Sequence, residues 1–281
     1  YAPDGHVMLP EEADKPVKNE HLDLLILSGY LNNNSKLSSE EVDTLGKDKT
    51  KTSWSITGLP TEASLIVLGK KYDSNIDQRL NEYQTLYEFN FDSSIKRMSK
   101  LMQKEGKITL FTKGATEWIL PLCDSYYENG AKKSINEEIK SRILTNMQDF
   151  AAHGYRILSI TYREMTSQNI PKDLESDNAR AECEQKLTYL GFVVILDPPR
   201  DDVFDAVADC KSAGITVIMI TGDSISTGKA IAEQLGIYKE GVNLAVEGKQ
   251  LEGLSDNDFK KVTCYGRVSP EHKQIIVKRY Q

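Results

Sequence analysis

The chain has 281 residues, with 35 Lys or Arg against 42 Asp or Glu, so its formal charge is −7 at neutral pH. This acidic balance argues against nonspecific nucleic-acid binding, which depends on a basic surface that neutralises phosphates. An apolar fraction of 39% supplies a core and excludes a disordered chain. The longest uncharged apolar stretches, Leu187–Leu196 and Gly214–Gly222, are about half of the ~20 residues that cross a bilayer, so no membrane insertion by this chain is expected.

The first two thirds of the chain predict an α+β domain. Apolar residues at helical spacing predict a helix over Glu20–Leu31, and the polar residues 36–58 indicate an exposed loop. A second helix is expected over Thr61–Leu68, with Thr61 as its cap. The turn at Glu105–Gly106 predicts antiparallel pairing within a meander of three strands, at Gln84–Phe91, Arg97–Gln103 and Lys107–Thr112.

Two further helices, over Asn136–Gly154 and Asp177–Gln185, are expected on either side of a strand at Arg156–Tyr162. Adjacent prolines then occur in Asp197–Arg200, and prolines are excluded from helix interiors and central strands. This segment is therefore predicted to be a hinge between two domains, which comprise residues 1–197 and 198–281.

The sequence after the hinge has a different pattern. A helix over Val203–Ala213 precedes a β-branched strand, Ile215–Ile220, and a helix that ends at Leu235. A last strand at Thr263–Arg267 precedes Ser269–Glu271, a cap and a proline that begin another helix. Such βα alternation is typical of a doubly wound parallel sheet, which binds ligands at the carboxyl ends of its strands. The expected fold class is α/β.

Two motifs of the second domain are candidates for anion binding. Thr221, Gly222 and Asp223 follow a buried strand and precede a helix, where a hydroxyl and free backbone amides form a phosphate cradle. An ordinary βα turn capped by Asp is the alternative. Arg267 ends a strand and Lys273 begins a helix, so both side chains could reach one anion. For Lys273 alone, a solvated lysine is the simpler interpretation.

Two motifs of the first domain are candidates for nucleotide binding. Lys113 stands at a strand end, and Gly114 after it leaves room for a ligand. The segment Phe91–Ser99 adds an aromatic face for stacking and nearby cations. The alternative for Phe91 is a core side chain in a hairpin. The four cysteines are spread singly, without the CxxC pairs of zinc sites, so neither a zinc site nor a disulfide framework is expected.

Together, and in this order, these motifs resemble the P-type ion-pumping ATPases, most closely the calcium- and sodium-pump branch. The matching segments cover the chain from about Gly58 to its end. They are Gly58–Ala63, Phe91–Ser99, Lys113–Ala115, Asp197–Arg200, Met219–Asp223 and Arg267–Lys273.

The resemblance implies an inserted nucleotide-binding domain with an antiparallel sheet, followed by part of a Rossmann-like, haloacid-dehalogenase-type phosphorylation domain. By this resemblance, Glu62 bonds the adenine amino group, Phe91 stacks on the base and Arg156 reaches the phosphates of ATP. Ser93 occupies a position where some family members carry Arg. Residues of the same adenine pocket would be Lys96, Met98, Lys113 and Gly114.

The resemblance also assigns Thr221, Gly222, Asp223, Arg267 and Lys273 to the phosphoryl site, with Lys273 neutralising charge on the transferred group. The implied cofactors are ATP and Mg²⁺, with most magnesium ligands outside this chain. The implied partners are the actuator and transmembrane domains of the same pump. The chain is then expected to be a cytoplasmic part of an integral membrane protein.

Two motifs of the family are absent. The nucleophile motif Asp-Lys-Thr-Gly-Thr and the magnesium motif Gly-Asp-Gly-Val-Asn-Asp do not occur in this sequence. Asp48-Lys49-Thr50 resembles the first, but polar residues surround it and no buried strand precedes it. We expect the nucleophile just before Tyr1 and the magnesium Asp just after Gln281.

Two other functions stay open at this stage. The first is a separate regulatory module that binds ATP with the same adenine pocket. Only the flanking coding sequence distinguishes it from a pump. The second is a haloacid-dehalogenase-type phosphatase, which would need its own nucleophilic Asp, and Asp48 is the candidate.

Overall fold

The computed structural model describes residues 2–8, 16–43, 50–152, 155–196 and 199–281. The chain divides into two compact units, Tyr1–Leu144 with Ile157–Ile195, and Thr145–Arg156 with Leu196–Gln281. The predicted hinge residues Asp197 and Pro198 lie outside the described residues. Within the described ranges, no helix is both long and apolar enough to cross a membrane.

The first unit is built on one mixed sheet of seven strands. In chain order, the elements up to residue 195 are α1 (Glu20–Leu31), β1 (Lys36–Asp43), β2 (Thr50–Thr57), α2 (Pro60–Tyr72), α3 (Ile76–Leu80), β3 (Gln84–Asp92), β4 (Arg97–Lys104), β5 (Lys107–Gly114), α4 (Thr116–Ile119), β6 (Cys123–Glu128), β7 (Ala131–Ser134), α5 (Glu137–Ala152), β8 (Arg156–Met165), α6 (Ala179–Cys183) and β9 (Leu187–Ile195). The large sheet has the order β3-β4-β5-β8-β9-β6-β7. The predicted antiparallel meander β3-β4-β5 is confirmed, whereas β6 pairs with β9 in parallel.

Strands β4 and β5 bury side chains on both faces of this sheet. Side chains alternate between the two faces of a strand, so Leu101 and Leu110 enter one apolar cluster while Met102 and Phe111 enter another. The second cluster includes buried residues of α1 and α2, which therefore cover one face of the sheet. Strand β5, which carries Lys113, is thus held between two hydrophobic layers.

Three predictions for this unit were wrong in detail. Residues 36–58 contain the antiparallel pair β1 and β2 rather than only a loop. Its strands are polar and largely exposed, and apart from Trp54 and Ile56 they lack the apolar alternation that signals a strand. Helix α2 begins at Pro60 with Leu59 as N-cap, so Thr61 does not cap it. The helix expected over Asp177–Gln185 is only the short α6.

The second unit contains a parallel sheet of three strands with helices around it. Its further elements are α7 (Asp201–Ser212), β10 (Met219–Ile220), α8 (Ile225–Gln234), β11 (Leu244–Glu247), α9 (Asp256–Phe259), β12 (Val262–Gly266) and α10 (Pro270–Tyr280). The strand order is β10-β12-β11, and both pairs are parallel. In the central strand, Cys264 and Tyr265 are fully buried in two different apolar clusters. The expected α/β class and parallel sheet are confirmed.

The prediction was wrong for two strands of this sheet. The run Ile215–Ile220 forms a strand only at Met219 and Ile220, and β11 was not predicted. The cap and proline before the last helix are confirmed, because Ser269 is the N-cap of α10 and Pro270 its first residue.

Gly266 provides a test of the packing between β12 and α8. A Cβ at this position would lie 2.5 Å from Cα of Ile225, a backbone atom that cannot rotate away. We expect Gly266→Ala to lower the free energy of unfolding by about 1–3 kcal/mol. Gly253→Ala is the control, since a Cβ there would meet nothing within 4 Å. Urea unfolding of both variants measures the difference, and equal stability would contradict the packing described.

Candidate functional site

A cavity of about 760 Å³ lies in the first unit, beside the β3–β4 turn and the end of β5. This volume is within the range of about 300–1,000 Å³ that small-molecule sites occupy. Its lining includes most of the predicted nucleotide-binding residues, namely Glu62, Phe91, Ser93, Lys96, Met98, Lys113 and Gly114. Residues that are up to 124 positions apart in sequence, such as Asn34 and Leu158, therefore meet around one space.

A buried ion pair lies in this lining. Lys113, which is 4% exposed, donates from Nζ to Oε1 of Glu62 at 2.6 Å and to the carbonyl oxygen of Asn32. Glu62 is 9% exposed in the first turn of α2. Burial lowers the pKa of Lys113 to about 8, although the negative charge of Glu62 acts in the opposite direction. The pair places a cation and a carboxylate in one apolar-walled cavity.

The turn before α2 positions Glu62. Gly58 has a φ of +114°, and a Cβ there would lie only 2.9 Å from Cα of Ser35, so the close approach requires glycine. Ser35 Oγ donates to the carbonyl of Leu59 at 3.2 Å. Asn33 Nδ2 donates to the carbonyl of Glu62 at 2.7 Å. The segment after α1 therefore binds the start of α2 through its backbone.

Phe91 lies at the edge of the cavity and is 57% exposed. The pairing register of β3 against β4 shifts between Phe89 and Asp92, so that Asn90 and Phe91 together face Met98. This two-against-one arrangement is a β-bulge, which redirects side chains locally. The core phenylalanine of this hairpin is Phe89, at 7% exposure, so the alternative of a buried Phe91 is wrong.

Gly114 allows the β3–β4 turn to approach β5 closely. A Cβ on Gly114 would lie 2.3 Å from the carbonyl oxygen of Lys96 and 2.6 Å from Cβ of Arg97. Lys96 itself has a φ of +46°, and its carbonyl accepts a hydrogen bond from the Ala115 amide at 3.0 Å. The glycine is thus required by packing of backbone on backbone, in addition to the room it leaves for a ligand.

Arg156, the remaining predicted binding residue, is exposed at the start of β8 and is not among the lining residues. Its neighbours Ile157 and Leu158 line the cavity and were not predicted. Asn34 and Asn90 were also missed. Ile157 and Leu158 fall within the predicted strand, but neighbouring residues of a strand lie on opposite faces, so its alternation could not indicate both. No sequence signal distinguishes the two asparagines from other turn residues.

The candidate phosphoryl site of the second unit connects two loops. The Thr221 carbonyl accepts from the Val268 amide at 3.0 Å, and the Asp223 carbonyl accepts from the Arg267 amide at 2.7 Å. Thr221 Oγ1 accepts from the Asp223 amide at 3.0 Å. The cap of α8 is Ser224, so the Asp223 carboxylate is not used as the helix cap. The loops after β10 and β12 are therefore fastened side by side.

The two predicted cations at this edge are both exposed. Arg267 has a φ of +48°, and its Nε lies 3.6 Å from Oε1 of Glu247. Lys273 is in the first turn of α10, where, as far as the structure describes the chain, its amine forms no ion pair. Gly222 is exposed, and a Cβ there would meet nothing within 4 Å. This arrangement leaves charged donors accessible to an anion.

Magnesium has no evident set of ligands in the described part of the chain. Among these residues, no group of three or more His, Cys, Asp or Glu side chains is arranged to hold a metal ion. The residues present therefore do not fit a magnesium site by themselves, and none is assigned to the ion.

Models of two known protein families match this chain. A model described as haloacid dehalogenase-like hydrolase matches residues 127–281, and one described as P-type ATPase, cytoplasmic domain N, matches residues 21–202. The second model covers more than half of the chain, so the chain belongs to the P-type ATPase family.

The curated relatives are named as ion pumps. Calcium-transporting ATPase 1 of Lactococcus lactis is 32% identical over 80% of this chain and 25% of its own length. The calcium-transporting ATPase of Bacillus subtilis is 30% identical over all of this chain and 30% of its own length. A plasma membrane-type calcium-transporting ATPase of Arabidopsis thaliana is 34% identical over 79% of this chain and 21% of its own. The chain thus spans less than a third of these relatives.

The lowered pKa of Lys113 predicts a pH-dependent difference in stability. In the folded chain the amine loses its proton at about pH 8, against an ordinary value of 10.5. Between these values the unfolded state binds more protons, so this group makes the free energy of unfolding rise with pH. Lys113→Met keeps an unbranched side chain but lacks this contribution. We therefore expect the free energy of unfolding of the wild type, minus that of the variant, to increase from about pH 8 to about pH 10.

Urea unfolding of both proteins at several pH values measures this difference. Titration of the other lysines and tyrosines contributes equally to the free energy of unfolding of both proteins, so it cancels in the difference. A difference that is constant, or that falls as the pH rises, would contradict the burial assigned to the amine.

Proposed function

We propose that this chain is the ATP-binding cytoplasmic part of a cation pump that couples ATP hydrolysis, through an aspartyl-phosphate, to ion transport. The membership of the chain in the P-type ATPases and the names of its calcium-transporting relatives support this. The observation that carries the ATP-binding part is the cavity itself. It combines the buried Lys113–Glu62 pair with the exposed ring of Phe91.

The base of ATP would bind in this cavity. The exposed face of Phe91 provides a stacking surface, which for a nucleobase is worth about 1–3 kcal/mol. A carboxylate oxygen has two acceptor positions, so Glu62 retains capacity for the adenine amino group while it accepts from Lys113. The positive charge of Lys113, and the apolar side chains of Met98 and Leu158, complete the surroundings of the nucleoside.

The phosphates would extend from the cavity toward polar residues of its margin. Ser93 and Lys96, both in the β3–β4 turn, and Arg156 are the proposed contacts. An Arg at the position of Ser93 could donate a charge-assisted hydrogen bond to the phosphates. The uncharged Ser93 lacks this bond. Such bonds are worth about 1.5–3 kcal/mol, so weak binding of ATP is expected.

The second unit would supply the phosphoryl site of the whole pump. Thr221, Gly222 and Asp223 are proposed to surround the phosphoryl group. Arg267 and Lys273 would neutralise its charge. The chain contains neither the Asp-Lys-Thr-Gly-Thr nor the Gly-Asp-Gly-Val-Asn-Asp motif. We therefore propose that it binds ATP without hydrolysing it, and that Mg²⁺ is held mainly by residues outside it.

Substitution in the cavity tests ATP binding. We expect Phe91→Ala and Lys113→Met each to weaken binding by about 1–3 kcal/mol, or roughly 5- to 150-fold in Kd. Titration calorimetry with ATP measures the affinity, and circular dichroism verifies the fold. Phe204→Ala is the matched control, because Phe204 is an exposed phenylalanine, at 43%, that does not line the cavity. Unchanged affinity in both cavity variants would refute the site.

A phosphate-release assay tests the absence of turnover. With Mg²⁺ and either ATP or a generic phosphate ester, we expect no release by the 281-residue chain above the protein-free rate. Release that disappears in Asp48→Asn would instead support the phosphatase, since this residue is the only one that resembles the family's nucleophile motif. Asp48 lies outside the described residues.

A further inference from the structure

A buried carboxylate lies behind the wall of the cavity that carries Phe91. The side chain of Glu184, just after α6, is 0% exposed and is paired with two arginines. Its Oε2 accepts from Arg97 Nε at 2.6 Å, and its Oε1 accepts from Arg180 Nε at 3.0 Å and from Ser99 Oγ at 2.6 Å. None of these four residues lines the cavity.

The two arginines connect Glu184 to the backbone of the β3–β4 turn. Arg180 donates from Nη1 to the carbonyl of Asn90 at 3.0 Å and from Nη2 to the carbonyl of Arg97 at 2.7 Å. These carbonyls stand at the two ends of the segment 90–97. Arg97, which belongs to this segment, binds Glu184 directly. One carboxylate therefore holds both ends of the turn through guanidinium groups.

The segment held in this way presents the ligand-facing side chains. Asn90 and Phe91 form the bulge opposite Met98, and Ser93 and Lys96 follow in the turn. A bulge interrupts the regular ladder, so its geometry depends on other contacts. The hydrogen bond from Arg180 to the Asn90 carbonyl is located at that interruption.

We infer that Glu184 is a positioning residue for nucleotide binding, which sets the orientation of Phe91 through the two arginines. This inference rests on the proposed ATP-binding function and deepens it. Two cations bound to one buried carboxylate and to backbone carbonyls form a specific geometry, because guanidinium groups donate in a planar fork. Without the carboxylate, the arginines lose their common anchor and the bulge loses its alignment.

A double-mutant cycle in the 281-residue chain tests this role. Glu184→Gln keeps the size of the side chain but removes its charge. Loss of charge-assisted bonds behind Phe91 is expected to raise the Kd for ATP about tenfold. In the Phe91→Ala background the same substitution is expected to change the Kd less than about twofold, since groups that act through one another are not additive.

Asp23→Asn is the matched control. Asp23 forms two bonds of 2.7 Å with Arg79, and neither residue lines the cavity. We expect this variant to lose stability in urea but to keep the wild-type Kd. An effect of Glu184→Gln on affinity that is equal in both Phe91 backgrounds, or no effect, would overturn the inference.

A second variant covers the case in which Glu184→Gln does not fold. Arg180→Gln leaves the bonds of Glu184 to Arg97 and Ser99 in place and removes the guanidinium between Asn90 and Arg97. The same cycle with Phe91→Ala applies, and additivity would again overturn the inference. If the wild-type chain itself does not bind ATP, the proposed function fails, which is a different result from binding that is insensitive to these variants.

Discussion

The buried ion pair between Lys113 and Glu62 is the interaction on which the geometry of the cavity depends. It joins the end of β5 to the first turn of α2, and its side chains are only 5% and 11% exposed. Charges at this depth are stable only if they are paired, and loss of one partner of such a pair costs about 3–5 kcal/mol. The two elements are therefore held together at the place where both line the cavity, and the lowered pKa of Lys113 results from this burial.

Backbone carbonyls are the second support of the cavity. On the side of α1 and α2, Asn33 binds the carbonyl of Glu62, and Lys113 binds that of Asn32. On the side of β3 and β4, Arg180 binds the carbonyls of Asn90 and Arg97. A hydrogen bond to a backbone carbonyl fixes the position of a turn. Such a bond does not involve the side chain of the residue that accepts it. This allows Phe91 to remain exposed at the edge of the cavity while the backbone of its segment is held in place.

The sequence was most informative where a local pattern carries the structure. The meander β3-β4-β5, helix α1 and the cap of α10 were predicted because alternation, helical spacing and Ser-Pro are local signals. The pair β1 and β2 was missed because its strands are polar. The length of β10 was overestimated, because a β-branched run indicates an extended chain but does not show which residues pair with a neighbouring strand. Strands β6 and β11 pair with the later strands β9 and β12, which no local pattern reports. Strands β6 and β7, in contrast, form a hairpin across Asn129 and Gly130, and this local turn signal was overlooked.

The same division applies to the cavity. Its conspicuous residues, Lys113, Phe91 and Glu62, could be selected from motifs, and the structure brings them together. Glu184 could not be selected in this way, since a Glu in a polar segment has the appearance of a solvated charge. Its burial follows from the positions of Arg97 and Arg180, which are 87 and 4 residues away.

The bulge at Asn90 and Phe91 has a consequence for the length of this segment. Two residues of β3 face one of β4 there, and removal of one residue would restore regular pairing. Phe89 would still face Ser99 and Asp92 would still face Arg97, but a single residue would then face Met98. The local redirection that a bulge gives to its two residues would be lost, and the ring of Phe91 would take an ordinary position in the ladder. The exposed position of this ring therefore depends on the number of residues between Phe89 and Arg97 as well as on their identity.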